Sequence, residues 1–279
     1  MRTSKLFLIL AVLMITSLFF SSGYSAKAAA VSPSTALGTS PDAIAIRVMP
    51  NSDHFSPLVW YGKNIKLKGS PQNLLVDGYE AIRDGRTVYV NAANISGNSF
   101  YTNIYIISYN QEAEDKTIDI FGQILTHWKF NTNSDINGNQ KQKIIRDVKR
   151  LANLSELNQA LGNYKKDDFP RLKSGSYVTG ASVSVWPSWQ ASLGADLGLT
   201  MPLDPVNKLG GCPAGFNKET CWNETDKTFH FNFNLTDGDP KSISHSPVYW
   251  YKDGVFYAGL ETGYNLIATV PHVSFNVAP

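Results

Sequence analysis

The sequence predicts an α+β protein: a β-rich N-terminal module, then a long amphipathic helix packed on a small antiparallel sheet. Three observations lead there. Between residues 42 and 109, short apolar segments alternate with turn dipeptides such as Asp77-Gly78 and Asp84-Gly85. Between Lys143 and Tyr164 the apolar residues fall into three- and four-residue spacing. Beyond Gly198, brief aromatic and β-branched segments return.

In chain order, Ala43–Met49 (AIAIRVM) reads as a strand ended by Pro50. Leu58–Tyr61 and Asn64–Leu67 are brief apolar pieces. Leu74–Val76, Tyr79–Ile82 and Thr87–Val90 read as strands, and Asp-Gly between extended segments is a hairpin signal. Tyr101–Tyr109 (YTNIYIISY) is the clearest strand, because β-branched and aromatic side chains suit a pleated surface. Ile118, Phe121, Ile124 or Leu125, and Trp128 then recur at helical spacing, which predicts a helix over Thr117–Phe130. After the polar break 131–139, Ile144, Val148, Leu151, Leu154, Leu157, Leu161 and Tyr164 form one apolar stripe, with Lys149, Arg150, Glu156 and Gln159 at other positions. A second helix is expected over Trp189–Leu197, closed by Gly198. Strands are expected at Phe229–Phe233, Val248–Lys252, Val255–Ala258 and Tyr264–Val270.

The N-terminus has the form of a secretory signal at residues 1–30. Arg2 and Lys5 precede the apolar run Leu6–Phe20, and Ala26-Lys27-Ala28-Ala29-Ala30 offers cleavage patterns ending at Ala28 or Ala30. The run is shorter than the roughly 20 residues that span a bilayer, so a membrane contact would be through this segment left uncleaved. Residues 31–41 (VSPSTALGTSP) read as a linker, 42–135 as the β-rich module ending in a helix, and 140–279 as the second module.

Composition excludes several functions. The 279 residues carry a net charge of +2, with 43% hydrophobic, 12% aromatic and 17% charged residues. A disordered chain would be poorer in aromatics and richer in charge. Cleavage would remove Arg2, Lys5 and Lys27, lowering Lys+Arg from 25 to 22 against 23 acids, so the mature chain would sit near −1. That balance gives no electrostatic footprint for nucleic acid.

Cys212 and Cys221 stand nine residues apart with Pro213, Gly215 and Asn217 between them. In an oxidising compartment such a pair forms a disulfide by default. No GxSxG, HExxH, CxxC or GxxxxGK[ST] pattern occurs, and the five histidines are scattered, so no catalytic residue and no resident cofactor is assigned. Two loops could hold a calcium ion: Asp237-Gly238-Asp239, and Asp204 with Asn207 in LDPVN. Hard cations take several carboxylate and carbonyl oxygens, though Asp-Gly-Asp-Pro is also an ordinary turn. Trp60, Trp186 and Trp189 are candidates for stacking on a sugar ring, with core packing as the plain alternative.

Residues 143–270 resemble the globular head of bacterial type IV pilin-like proteins and type II secretion pseudopilins. The matching pieces occur in order. They are the helix with Arg146-Asp147 and Arg150-Leu151-Ala152 running to Leu161-Gly162-Asn163-Tyr164, then Phe169-Pro170, Trp189-Gln190-Ala191-Ser192-Leu193, and Met201-Pro202-Leu203-Asp204-Pro205-Val206-Asn207-Lys208. Val248-Tyr249-Trp250-Tyr251 and Gly263-Tyr264-Asn265-Leu266-Ile267-Ala268-Thr269 complete the set. The resemblance implies a long helix on a small antiparallel sheet, with a calcium-binding or disulfide-closed C-terminal loop in some members. The signature of Gly, Phe, Thr, Leu, Ile and Glu that those proteins carry before their N-terminal helix has no counterpart here.

The function expected is therefore that of an exported, extracellular or cell-surface bacterial protein with a structural or interaction role and no catalytic constellation. Its partners would be envelope or surface proteins, or glycans. The other reading is a secreted carbohydrate-binding or carbohydrate-processing protein. N-terminal sequencing of exported protein should start within a few residues of Val31 and find nothing before Ala26. Intact Met1 in a membrane fraction would instead mark a retained anchor.

Overall fold

Asp77 and Gly78 both have positive φ, +51° and +85°, the backbone that a two-residue hairpin joining β2 (Gln72–Val76) to β3 (Tyr79–Asp84) requires. A Cβ at Gly78 would also lie 2.9 Å from Ile145 Cδ1, so glycine is required there on two counts. The Asp77 carboxylate ties this turn to distant chain. It accepts from the Phe130 N–H at 2.7 Å and pairs with Lys129 and Lys141. Burial alone would push its pKa up. The Lys141 hydrogen bond, the Phe130 N–H, the Lys141 charge and Lys129 reverse this and hold it below the usual carboxylate value.

The computed structural model describes residues 42–130, 136–164, 176–233, 239–262, 265–266 and 273–277. These belong to one compact unit, Ser40–Pro279. The expected signal at 1–30 and the linker at 31–41 lie outside the described residues. In the first sheet, β3 pairs with β4 (Thr87–Ser96), β4 with β5 (Ser99–Tyr109) and β5 with β1 (Ile44–Pro50), all antiparallel. The strand order is β1-β5-β4-β3-β2. The β4–β5 hairpin turns at Gly97-Asn98, so both strands run further than the sequence predicts.

One helix was not legible as such. Pro57–Asn64 is α1, although the sequence reads there only as brief apolar pieces. At eight residues it is too short for periodicity to register. Its signal is the dipeptide Ser56-Pro57: a side-chain N-cap that accepts from Val59 N–H, then a proline in the first turn. Trp60 and Tyr61 pack with Ile82, Tyr89 and Ile104 on one face of the sheet. The other face holds Tyr79, Ala81, Val88, Val90 and Ile107.

The second face is covered by α2 (Asp115–His127) and by α3 (Gly138–Gly162). Helix α2 ends three residues before the predicted Phe130, whose N–H goes to Asp77 instead. Helix α3 begins five residues before the predicted Lys143, because Asn137 caps it by accepting from Gln140 N–H at 2.8 Å. Its N-terminal half places Ile144, Val148 and Leu151 in the core of the first sheet. Its C-terminal half places Leu154 and Leu157 against Trp189, Tyr249, Tyr251, Phe256 and Ala258. The predicted division at 131–140 is thus followed by a helix that serves two sheets.

The second sheet has the order β12-β10-β9-β6. Its strands are β6 (Ala181–Val183), β9 (Tyr249–Lys252), β10 (Val255–Leu260) and β12 (Val273–Val277). Strands β9 and β10 form a hairpin, and β12 runs parallel to β10. Two further expectations are corrected. Asn265–Leu266 is β11 and joins the first sheet, pairing in parallel with Ser99 and Phe100 of β5. Of the expected Phe229–Phe233 strand, Phe229 alone is in a strand, β8 (Thr228–Phe229) against β7 (Trp222–Asn223), and Asn232 makes an isolated bridge to Ser242. Trp189–Gly194 is a π-helical turn leading into α4 (Ala195–Leu197), closed by Gly198 at φ +69°.

The Cys212–Cys221 disulfide is present, with Cα atoms 5.2 Å apart. The loop it closes is held by Asn217 Oδ1, which accepts from the N–H groups of Glu219 and Thr220, and by Trp186 Nε1, which donates to Thr220 O at 3.0 Å.

Leu157 is fully buried, whereas the Lys149 side chain is 44% exposed and pairs with Glu80. Leu157→Ala should lose about 2–5 kcal/mol in denaturant unfolding. Lys149→Ala should lose less than about 1 kcal/mol. Equal losses would show that the stripe is not core.

Candidate functional site

Two polar constellations stand out, and they divide into one that holds the fold and one that opens to solvent. The first surrounds Arg150, which is fully buried although its position in the helix pattern reads as outward. Its guanidinium donates to Asp204 through Nε at 2.6 Å and Nη2 at 2.9 Å, to Asp147 at 2.8 Å and to Glu261 at 3.1 Å. Asp147 also accepts from the N–H groups of Glu261 and Thr262 and from the Thr262 hydroxyl. Arg146 completes the set on Glu261. Burial would favour loss of the Arg150 proton, but the Asp204 hydrogen bond and charge and the Asp147 charge more than reverse it, so the cation is held above its usual pKa. Every strong donor and acceptor here is used internally, which makes this a structural centre.

The second is a cleft of about 490 Å³ between four elements. The start of α1 contributes Ser56, Pro57 and Leu58. Strands β2 and β3 contribute Asn73, Leu74, Leu75, Glu80, Ala81 and Ile82, and α3 contributes Asn153 and Glu156. A smaller hollow of about 140 Å³ adjoins it and shares Leu75 and Glu80. The volume lies in the range of small-molecule and side-chain sites.

The cleft's polar groups are fixed by the helices. Ser56, the N-cap of α1, donates to Glu156 Oε1 at 2.5 Å. Asn153, one turn earlier on α3, donates to the Tyr249 hydroxyl at 2.9 Å. Glu80 is paired with Lys149 at 2.5 Å. Among the described residues Glu156 has no cationic side chain within ion-pair distance. Burial pushes the Glu156 carboxyl up; the Ser56 hydrogen bond opposes this in part, and the Glu80 charge adds to it. The cleft can therefore compensate a cation, because a neighbouring positive charge would relieve a carboxylate that now has only a hydroxyl donor.

The candidates read from the sequence fall elsewhere. Asp204 is buried and committed to Arg150 and to the N–H groups of Val206 and Asn207. Asn207 Oδ1 accepts from Ser184. Asp239 accepts from Asn232 and the Lys241 N–H, and Asp237 lies outside the described residues. Among the described residues no group of three or more His, Cys, Asp or Glu is placed to hold a metal. Trp60, Trp186 and Trp189 are 6%, 3% and 1% exposed, so all three are core and none offers a ring face to a sugar. Trp186 packs edge-on against Tyr177 and Phe229, and Trp189 edge-on against Phe256. What sequence reasoning missed was Glu156 with Ser56. The usable signal was the N-cap at Ser56; the contact across 100 residues has no sequence signature.

A carboxyl whose pKa is raised in the folded protein binds its proton more tightly folded than unfolded. Its stabilising contribution is present in acid and is lost as pH rises through the folded value. Glu156→Gln keeps an acceptor for Ser56 and removes that loss. The variant should be more stable than the wild type at about pH 8, and the gap should close toward about pH 4. Urea midpoints measured across this range check it, and a gap independent of pH would reject it.

Comparison with family models, curated proteins and solved structures finds no match to this chain.

Proposed function

We propose that this is an exported bacterial surface or envelope protein with a structural or interaction role, whose C-terminal module is pilin-like. The observation that carries the reading is the Cys212–Cys221 disulfide. Disulfides persist in oxidising compartments and are rare in the bacterial cytosol. This one closes a short loop over the core formed by Val183, Trp186, Leu209 and Trp250. A loop of that length stabilises by about 2–3 kcal/mol.

Two further features support the reading. The apolar run Leu6–Phe20 and the Ala-rich exit after it have the form of an export signal. The packing of Leu154 and Leu157 of α3 on Tyr249, Tyr251 and Phe256 is the helix-on-sheet arrangement that the pilin-head resemblance implies. The carbohydrate reading has lost its stacking platforms, since the tryptophans proposed for it are core.

The test is fractionation of a bacterial host expressing the full chain, with thiol labelling of the denatured, unreduced protein. The protein should lie outside the cytoplasmic membrane with both cysteines unlabelled until reduction. Recovery in the cytosol with two labelled cysteines would overturn the reading.

A further inference from the structure

Strand β2 is the edge of the first sheet, and among the described residues no strand pairs with its other side. Alternate N–H and C=O groups along an antiparallel edge point outward and are available to a further strand. Exposed edges are commonly guarded by lysine, by proline within the strand or by a bulge. Gln72-Asn73-Leu74-Leu75-Val76 has none of these, and all five residues pair in unbroken register with β3.

The cleft lies on the sheet face beside this edge, where Asn73 and Leu75 of β2 stand next to their partners Ile82 and Glu80 of β3. Its apolar lip includes Leu58 and Leu75, which are 51% and 67% exposed. Its charge is asymmetric: Glu80 is neutralised by Lys149, and Glu156 receives the Ser56 hydroxyl.

We propose that this cleft is a docking groove for an extended peptide that adds as a strand to the edge of β2 and carries a lysine or arginine whose cation pairs with Glu156. The inference rests on the reading of the chain as an interaction protein and names the class of partner. Strand addition supplies main-chain hydrogen bonds, and alternate side chains of the added strand enter the groove. A strand of five residues spans about 17 Å, so the footprint is a segment of similar length. The aliphatic stem of a lysine or arginine covers Leu58 and Leu75, and its charged head reaches the carboxylate. An acidic or phosphorylated segment would meet Glu156 with like charge. A glycan would find no aromatic ring among the lining residues.

The test is fluorescence anisotropy with the full chain and a labelled, end-capped peptide of alternating valine and threonine with one central lysine. Two companion peptides replace the lysine with norleucine, or carry N-methyl groups on alternate backbone nitrogens. The lysine peptide should bind saturably. Norleucine, or Glu156→Gln in the protein, should weaken binding at least about tenfold, a loss of one charge-assisted contact. Glu156→Gln should leave the norleucine peptide unchanged. N-methylation should abolish binding, and the bound lysine peptide should slow amide exchange across Gln72–Val76. Leu75→Lys, at an exposed position, should weaken the lysine peptide through like charge. Lysine-peptide binding that is indifferent to Glu156→Gln, equal binding of lysine and norleucine peptides, or no saturable binding would overturn the proposal. Failure here by a protein still found outside the membrane with its bridge intact would sink the docking groove alone. A cytosolic, reduced protein that binds the lysine peptide would sink the compartment and keep the groove.

Discussion

The guanidinium of Arg150 is the point on which the two halves of the molecule depend. Its partners come from the same helix at Asp147, from the loop at Asp204, and from the end of β10 at Glu261. Taking such charges out of water costs several kcal/mol per ion, and only good geometry with full hydrogen bonding offsets that cost. The cluster meets the condition at Arg150 and Glu261, whereas at Asp147 burial still outweighs the partners and holds the carboxyl above its usual pKa. Asp204 receives two donors from one guanidinium, and Asp147 satisfies the N–H groups of Glu261 and Thr262 where β10 ends. Removing Arg150 would leave Asp147 and Asp204 buried without a cationic partner among the described residues, while Glu261 would keep Arg146. The arrangement therefore specifies how the loop and the strand end meet α3 more than it adds net stability.

Helix α3 carries that cluster because it is shared. A helix with one apolar stripe normally covers one surface, yet at 25 residues α3 is long enough to cover two in succession. Val148 and Leu151 face the first sheet, Leu154 and Leu157 the second, and Arg150 falls in the turn of the helix just before the change-over. The same length carries Asn153 and Glu156 to the cleft over β2 and β3, where they form one wall. The helix is thus both the shared core element and one side of the candidate site, and its rigidity is what holds Glu156 against Ser56 at the start of α1.

Local signals explain what was legible. Asp77-Gly78 marked a hairpin because both residues must take positive φ, and the helical stripe marked α3 because five apolar positions had to be buried. The disulfide was legible from the turn residues between the cysteines. The first helix was not, since eight residues give barely two turns of pattern. Arg150 was placed outward because patterning counts a charged residue as solvent-facing, whereas three carboxylates from distant chain surround it. Trp60, Trp186 and Trp189 could serve equally as platforms or as core on sequence grounds, and burial decided for core. The cleft was illegible altogether. Its walls come from segments up to 100 residues apart in the chain, joined by Ser56 with Glu156 and by Glu80 with Lys149.

The pairing of β11 with β5 bears on how the chain reaches this state. Residues 265–266 lie beside residues 99–100, and the cluster around Asp147 closes only with partners 114 and 115 positions later. Contacts of such separation require large loops to close before they repay the lost chain entropy, which slows folding. Until the last strands emerge, the first sheet lacks part of an edge and α3 exposes the stripe meant for β9 and β10. A chain still being made therefore passes through a stage with an uncovered apolar helix face and unneutralised charges at its centre, the kind of exposed surface that favours aggregation.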